Sequence, residues 1–382
     1  MKVYFDNAAT TPIRNEVIDL MIDSMTSTFG NPSSTHGFGR KAKSSIENAR
    51  KSIAKILNCD PQEIIFTSGG TESDNMVLRS VVKHLGIREI ISSKLEHHAI
   101  LNVLEDLEKE KVKVTYVDLD QFGSPKFDHL ENLLKNDNNL KLVSLMHVNN
   151  EIGNILDLKK IVKLTKSYGA YFHTDAVQGV GHYQYDLKSL PIDFLSASGH
   201  KFHGPKGIGF SFIRKNIGFD PLILGGPQEK GLRAGTEPVH NIIGIQKAIE
   251  ISYDNIEKEK KFILDLKKYF IKKIKFIFPK VYFNGSCENL DQSSYTIVNI
   301  SLPIDKTKVK MLDFHMDLNG VACSKGSACQ AGAFSESHVL TALRRPVKVK
   351  NYPSLRFSFS SFNTKKEVDH VIKTLSRFIE KV

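Results

Sequence analysis

Short apolar segments alternate with longer amphipathic segments through much of the chain. The short segments are typical of buried strands, and the longer ones repeat apolar residues every three or four positions, as helices do. The pattern predicts strands at Ile64–Thr67, Glu89–Ser92, Val112–Val117, Leu142–His147, Ala170–Thr174, Phe194–Ala197 and Ile208–Ile213. Strands that alternate with helices indicate a mainly parallel sheet covered on both faces.

Helical periodicity also occurs before, between and after these strands. It predicts helices at Asn15–Phe29, Gly39–Leu57, Glu72–Leu85, Ala99–Lys109, Leu158–Tyr168 and a long helical region from about Val239 to Phe276. Beyond that region the order is mixed, with strands at Thr296–Leu302 and Leu355–Phe359, a helix near Lys306–Asp317 and a last helix from Lys365. The mixed order indicates a smaller α+β C-terminal domain, with the long helix as the bridge to it.

Length and composition are those of an ordinary globular protein with a large core. The chain has 382 residues, of which 41% are hydrophobic. We predict a large domain over residues 15–250 and a small domain formed by residues 1–14 and 251–382. Apolar runs stay shorter than the about eighteen residues of a membrane span, and the start lacks a signal-peptide pattern. We therefore expect a cytoplasmic protein with no membrane partner.

The net charge of +11 raises the possibility of an acidic partner or nucleic acid. The lysines are scattered at helix-like spacing, and no nucleic-acid motif accompanies them, which favours solvated helix faces. We therefore expect no direct nucleic-acid binding. The four cysteines, Cys59, Cys287, Cys323 and Cys329, are too few for a disulfide scaffold and form no CxxC pair that would suggest zinc.

The sequence TSGGTES at 67–73 follows a predicted strand and opens a predicted helix. Backbone N–H groups at such a helix N-terminus form a ready site for a phosphate, with Gly69, Gly70 and Thr71 as the cradle. The GK[ST] ending of an ATP-binding loop is absent, and no GxGxxG motif follows a strand. The segment therefore indicates a phosphate other than that of ATP or a dinucleotide, although a helix cap in a tight turn would also explain it.

Lys201 lies in SGHKFHGPKGIG (198–209), just after a predicted strand, where open α/β sheets place their ligands. A partly desolvated lysine there is suited to covalent attachment of a carbonyl compound. His97, Asn150, Asp175 and Gln178 follow other predicted strands of the same sheet. Each residue alone also has a structural explanation, such as a helix cap. Together they match what pyridoxal 5′-phosphate requires: a phosphate anchor, a carboxylate for the ring nitrogen and a lysine.

These motifs resemble those of the cysteine desulfurases, the NifS/IscS branch of the class V, fold-type I pyridoxal-phosphate enzymes. The resemblance runs from Tyr4 to about Ile372. It rests on YFDNAATTP, TSGGTES, EHHA, MHVNNEIG, HTDAVQ, SGHKFHGPKGIG, RAGT, GSAC and LRFSF, in the family's order and at its spacings. It implies an α/β fold of type I, with a mainly parallel seven-stranded sheet in the large domain.

The resemblance also implies a role for each site residue. Lys201 binds the cofactor covalently, Asp175 pairs with the ring nitrogen, Gln178 contacts the ring hydroxyl and His97 stacks on the ring. Phosphate contacts fall on Gly70, Thr71, Ser198 and His200, and on Thr236 supplied by the neighbouring subunit of a homodimer. Asn150 and Arg356 orient the cofactor and the substrate carboxylate. Cys329 is the nucleophile that takes the sulfur, so that Cys329, Lys201 and His97 are the catalytic residues.

The implied activity converts L-cysteine to L-alanine and leaves the sulfur as a persulfide on Cys329. A sulfur-acceptor protein, either an iron–sulfur scaffold or a tRNA-thiolation enzyme, would receive it. The alternatives are another class V enzyme, such as a selenocysteine lyase or a transaminase, and a non-catalytic basic scaffold protein that binds RNA or an acidic partner. The chain departs from the family at Pro227, in a loop usually richer in glycine, and after Cys329, where a proline before Ser337-His338 is missing.

The two cysteines near the C-terminal end differ in their surroundings. Cys329 lies in a run of small residues, which we expect to be mobile and accessible. Cys323 ends a short apolar segment and is expected to be a buried packing residue. Cys323 is therefore the internal control for Cys329.

Overall fold

The computed structural model describes residues 1–136, 139–304, 309–324 and 337–380. Twelve strands occur in these ranges: β1 Val3–Tyr4, β2 Ile64–Thr67, β3 Glu89–Ser92, β4 Lys113–Tyr116, β5 Lys141–Ser144, β6 Tyr171–Asp175, β7 Phe194–Ser198, β8 Gly209–Ile213, β9 Tyr282–Phe283, β10 Ile297–Ser301, β11 Val321–Ala322 and β12 Ser354–Ser358. The same ranges hold helices α1 Asn15–Ser27, α2 Gly37–Leu57, α3 Gly70–Lys83, α4 His98–Lys109, α5 Phe127–Lys135, α6 Leu158–Ser167, α7 Val239–Asp254, α8 Ile256–Ile277, α9 Val309–Leu318, α10 His338–Ala342, α11 Val347–Lys350 and α12 Lys365–Glu380.

The main sheet has seven strands in the order β2-β8-β7-β6-β5-β3-β4. Strand β8 runs antiparallel to both of its neighbours, and the other pairs are parallel. The predicted mainly parallel, seven-stranded α/β sheet is thus confirmed. Because the parallel strands share one direction, the carboxyl ends of β2, β3, β5, β6 and β7 lie at one edge of the sheet.

Two hydrophobic cores cover the two faces of this sheet. Alternate residues of one strand enter different cores, since Ile64 and Phe66 pack with α1, α2 and α7, whereas Ile65 packs with α3 and α4. This alternation follows from the two-residue side-chain period of a strand. A sheet buried on both faces requires strands that are apolar throughout, as the sequence pattern indicates.

A third core lies under a separate three-stranded antiparallel sheet, β12-β10-β9. Its apolar residues come from α8, α12, β10 and β12, together with Val3 and Phe5 from the N-terminal end. Strand β1 pairs in parallel with β11. The N-terminal residues therefore pack with the C-terminal part of the chain.

The predicted long helix from Val239 is two helices in the structure, and they separate at Asn255. Helix α7 buries Ile245 and Ile249 in a core of the main sheet, and α8 buries Leu266 and Phe270 in the core of the small sheet. The two helices thus pack in different cores, which apolar periodicity alone does not indicate.

Helix α5 was not predicted, because its short sequence buries only Leu130 and Leu134. The predicted helix near Lys306–Asp317 is described from Val309 onward as α9, and residues 305–308 lie outside the described ranges. In the described part of the chain, none of the helices has the length and apolarity needed to cross a membrane.

Candidate functional site

A cavity of about 220 Å³ opens at the carboxyl edge of the main sheet. Its walls are formed by the residues after β2, β3, β5, β6 and β7, by the loop at Ala8 and Ala9, and by Arg356 from the small sheet. The cavity brings together the predicted site residues Gly70, Thr71, His97, Asn150, Asp175, Gln178, Ser198, His200, Lys201 and Arg356. This volume is many times what one water molecule needs, so a small aromatic ligand fits.

Lys201 ends a short 3₁₀ helix, Gly199–Lys201, that directly follows β7. Its Nζ donates hydrogen bonds to the carbonyl oxygens of Ala8 and Ala9, both at 2.8 Å. The same N-terminal loop is fixed to this turn, because Thr11 N–H and its hydroxyl both donate to the carbonyl of His200. The lysine is thus held at the cavity by a loop that is distant in sequence. Gln178 contacts the same loop, since its Nε2 donates to the carbonyl of Ala8 at 2.8 Å.

The phosphate cradle lies where β2 passes into α3. Gly69 has φ +150°, a backbone conformation that residues with a side chain rarely adopt. A Cβ added at Gly70 would lie 2.5 Å from Val177 Cγ2, so a side chain at this position would have to displace Val177. Gly70 and Thr71 of the first turn of α3 line the cavity together with Ser198 and His200. The first N–H groups of a helix have no intrahelical acceptor. These donors suit a phosphate dianion.

Three buried carboxyl groups lie near the cavity: Asp74, Glu96 and Asp175. Burial raises the pKa of Asp74 and of Glu96 well above their usual values, which favours the neutral form of both carboxyls. Burial also raises the pKa of Asp175, but only to about 6, because the N–H of Val177 and the charge of Lys201 favour its ionised form. At neutral pH Asp175 is therefore the member of this group that carries a negative charge.

His97 caps the N-terminus of α4, with its Nδ1 accepting a hydrogen bond from the N–H of Ala99 at 3.1 Å. This bond leaves Nε2 as the protonated ring nitrogen. Burial first, and then the positive charge of Lys201, lowers the pKa of His97 to about 4. A neutral imidazole is thus held in the cavity wall, and it is suited to stacking on a planar ring.

Arg356 reaches the cavity from β12 and is only 1% exposed. Its Nη1 donates to the carbonyl of Asn150 at 2.9 Å, and its Nη2 donates to Asp6 Oδ1 at 2.8 Å. Its Nε is buried and has no hydrogen-bond partner among the described residues. A buried N–H without an acceptor is costly, so it indicates a place for an anionic ligand group.

Comparison with known proteins places these residues in a family. The profile of the family described as aminotransferase class-V matches residues 3–371. The chain belongs to the class-V aminotransferase family. Members of this family are pyridoxal-phosphate enzymes, and the chain has their fold type I architecture.

Several relatives match this chain over its full length. The cysteine desulfurase IscS of Dictyoglomus turgidum is 43% identical, and the alignment covers 100% of this chain and 95% of the relative. A putative cysteine desulfurase, IscS 1 of Bacillus subtilis, is 38% identical, and the alignment covers 100% of this chain and 99% of the relative. A solved structure named NifS-like protein superposes with a TM-score of 0.91 at 34% identity, and both chains are covered completely.

Two site residues predicted from the family motifs are not part of this cavity as described. Thr236 is exposed and is not among the residues that line the cavity in its own chain. Cys329 lies outside the described residues, within 325–336. The residues that flank this segment lie near the site. Ser324 Oγ accepts a hydrogen bond from Arg356 Nη2 at 3.1 Å, and Ser337 Oγ donates to Glu151, the residue after Asn150. His338 Nε2 pairs with the carbonyl of Glu96 at 2.9 Å.

The three described cysteines are poor nucleophiles at neutral pH. Burial raises the pKa of Cys59 and of Cys323 to about 12 and that of Cys287 to about 11. Each of these thiols therefore stays protonated. Cys323 is partly exposed and packs against the small-sheet core. Within the described ranges no cluster of His, Cys, Asp or Glu is suited to hold a metal ion.

Some groups at this site were not predicted from the sequence. Asp74 lines the cavity, and the carbonyls of Ala8 and Ala9 hold Lys201. Asp74 belongs to the segment that carries the phosphate cradle, and its position in the first turns of α3 was the available signal. Main-chain carbonyls have no residue-type signal, so their role was visible only in the structure.

Proposed function

We propose that this chain is a pyridoxal-phosphate-dependent cysteine desulfurase that converts L-cysteine to L-alanine and transfers the sulfur to Cys329. The observation that carries the proposal is the single cavity in which a lysine amine, an ionised buried carboxylate and a glycine phosphate cradle meet a buried arginine. The 37–43% identity to proteins named cysteine desulfurase IscS supports the same activity.

The polar groups of the cavity match the functional groups of pyridoxal phosphate. Gly70, Thr71, Ser198 and His200 would hold the phosphate, Asp175 the ring nitrogen, Gln178 the ring hydroxyl, and Lys201 the aldehyde carbon. When bound, the cofactor supplies an electron sink for bonds at the substrate α-carbon. A ring nitrogen that is protonated needs a carboxylate beside it, and Asp175 is ionised at neutral pH because its pKa is about 6.

Each residue around the substrate has a task of its own. Arg356, with a buried Nε that lacks a partner among the described residues, would bind the substrate carboxylate together with Asn150. Lys201 Nζ would take the proton from the substrate α-carbon. His97 would stay neutral and stack on the ring. Water has little access to this part of the site, since Arg356 and Asp175 are both nearly fully buried.

The sulfur transfer needs the thiolate of Cys329. That thiolate attacks the substrate sulfur, a sulfur–sulfur bond forms and the carbon–sulfur bond breaks. The electron pair of the broken bond stays with the carbon, which takes up a proton. Lys201 would return the proton that it took to the α-carbon, and alanine is the product. Support for Cys329 comes from the flanking Ser324, whose Oγ accepts a hydrogen bond from Arg356 of the cavity wall at 3.1 Å.

We further propose a homodimer in which Thr236 reaches the phosphate of the partner's site. Exposed apolar side chains on and just after α1 support this, because Ile22, Met25 and Phe29 are between 50% and 70% exposed, and Leu224 in a distant loop is 78% exposed. Exposed apolar side chains of this size favour association. We also propose that residues 15–250 form the large domain and that residues 1–14 and 251–382 form the small one. The acceptor of the sulfur would be an iron–sulfur scaffold or a tRNA-thiolation enzyme.

One experiment tests the activity directly. Purified protein loaded with pyridoxal phosphate is incubated with L-cysteine and a thiol reductant, and sulfide and alanine are measured together. We expect equal amounts of the two products. Alanine and sulfide both at background, with the cofactor fully bound, would contradict the proposal. Preferential turnover of selenocysteine, or of an amino acid with a keto acid, would favour the other class-V activities.

A further inference from the structure

A carboxylate lies directly beside the phosphate cradle, where it opposes the binding of a phosphate. Glu72 follows Thr71 in the first turn of α3, and its Oε2 accepts the N–H of Ser68 at 2.8 Å. This carboxylate stabilises the helix N-terminus, but it competes for the positive potential that attracts a phosphate dianion. A phosphate site with such a neighbour needs a compensating positive charge.

Arg233 provides a positive charge at this position. Its Nε donates to Glu72 Oε1 at 2.8 Å and its Nη2 donates to Glu72 Oε2 at 3.2 Å, a two-point pair. The side chains are 21% and 11% exposed, so water screens the pair only in part. Burial opposes the ionisation of Glu72, but the hydrogen bonds from Arg233 and Ser68 outweigh it and lower the pKa of this carboxyl.

The loop that carries Arg233 is itself held in place against the strand that leads to the cradle. Glu229 accepts two hydrogen bonds from Arg50, at 2.7 and 2.8 Å, and a third from the N–H of Phe66 on β2 at 2.8 Å. Glu229 and Lys230 have φ of 45° and 60°, a strained region for residues with side chains. The buried pair with Arg50 offsets that strain, so Arg233 is presented by a preorganised loop.

We propose that Arg233 is a positioning residue for phosphate binding, because it neutralises Glu72 at the rim of the cradle. The inference rests on the proposed function, since the phosphate concerned is that of pyridoxal phosphate. Removal of the arginine leaves an uncompensated carboxylate beside the phosphate. Removal of both charges restores a neutral rim, and the glutamine of an E72Q variant keeps an oxygen that accepts the Ser68 N–H.

The test measures ligand affinity in the whole chain after the bound cofactor has been removed. The variants are Arg233→Gln, the double variant with Glu72→Gln, and Arg79→Gln as a matched control. Arg79 lies on α3, the helix that carries Glu72, and pairs with Asp106 at 2.7 Å. It carries the same charge as Arg233 but lies about two turns from the cradle. Binding of pyridoxal phosphate is followed by absorbance, with pyridoxal, which lacks the phosphate, as a second probe and inorganic phosphate as a competitor.

We expect R233Q to bind pyridoxal phosphate about tenfold more weakly and to be less sensitive to inorganic phosphate, with little change for pyridoxal. The double variant should return to within about threefold of the unmodified chain, and R79Q should bind normally. Equal binding by R233Q and the unmodified chain, or a double variant as weak as R233Q, would overturn the role of Arg233. An unmodified chain that takes up no pyridoxal phosphate would instead contradict the proposed function.

Discussion

Buried ionisable side chains occur in two regions of this chain. Asp74, Glu96 and Asp175 are buried beside the cavity at the end of the main sheet. Under the small sheet, the side chain of Lys267 is fully buried. Both groups are removed from water, and burial shifts the pKa of each in the direction of its neutral form.

The two groups differ in how their polar atoms are satisfied. Lys267 Nζ donates to Ser293 Oγ at 2.9 Å and to the carbonyl of Ser294 at 2.6 Å. In contrast, Asp74 Oδ1 and Glu96 Oε2 are buried without hydrogen-bond partners among the described residues. A satisfied buried amine is part of the packing, whereas unsatisfied buried oxygens beside a cavity indicate a site shaped for a ligand.

The two lysines should therefore respond differently to mutation, and this gives the largest expected effect. Lys201→Ala should lower sulfide production by about 10³-fold or more, because it removes the amine that attaches the cofactor. Lys267→Met should keep most of the activity. In the unmodified chain, borohydride should fix the cofactor to Lys201, as seen by peptide mass spectrometry. A label on Lys206 would contradict the assignment.

The comparison extends to thiols, since a packing cysteine and a reactive cysteine should also differ. Cys329→Ala should abolish sulfide release while leaving the cofactor bound, and Cys323→Ala should keep most of the activity. Burial raises the pKa of Cys323 to about 12, which makes it a poor nucleophile. Alkylation after addition of cysteine should find the extra sulfur on Cys329, and a persulfide on Cys323 would show the mechanism to be wrong.

Within the acidic group, the ionised and the neutral carboxyl should be distinguishable. Asp175→Asn should lower turnover at least about a hundredfold, because a bound ring cation loses its counter-charge. Asp74→Asn should stay within about threefold, since an amide resembles the neutral acid that burial favours. Turnover is measured together with the pH dependence of the cofactor absorbance. A D74N variant as damaged as D175N would show that Asp74 carries charge.

The smallest expected effect concerns Lys267, which lies in the core under the small sheet. Its burial should make the free energy of unfolding depend on pH. Burial lowers the pKa of Lys267 to about 8, below the value of 10.5 in an unfolded chain. Between these values the unfolded chain binds more protons, so the free energy of unfolding should rise with pH, by up to about 3 kcal/mol. Urea unfolding at pH 7, 8, 9 and 10 checks this, with K267M as the control. The same slope in K267M would assign it to another group.

The order of strands and helices was readable from the sequence because burial on both faces leaves continuous apolar runs. The seven strands of the main sheet were predicted, most within a few residues of their observed ends. The site residues of the main sheet were also predicted, since residues that follow parallel strands must meet at one edge. Their individual roles stay predictions until the variants are measured.

Only the tertiary structure decided which groups face each other across long stretches of chain. The contact of Lys201 with Ala8 and Ala9, and the pairing of Glu72 with Arg233, join segments that no local pattern connects. The ionisation of Asp175 likewise depends on burial and on neighbours from other elements. A sequence fixes local preferences and periodic burial, whereas charge and hydrogen bonding depend on distances that exist only after the chain has folded.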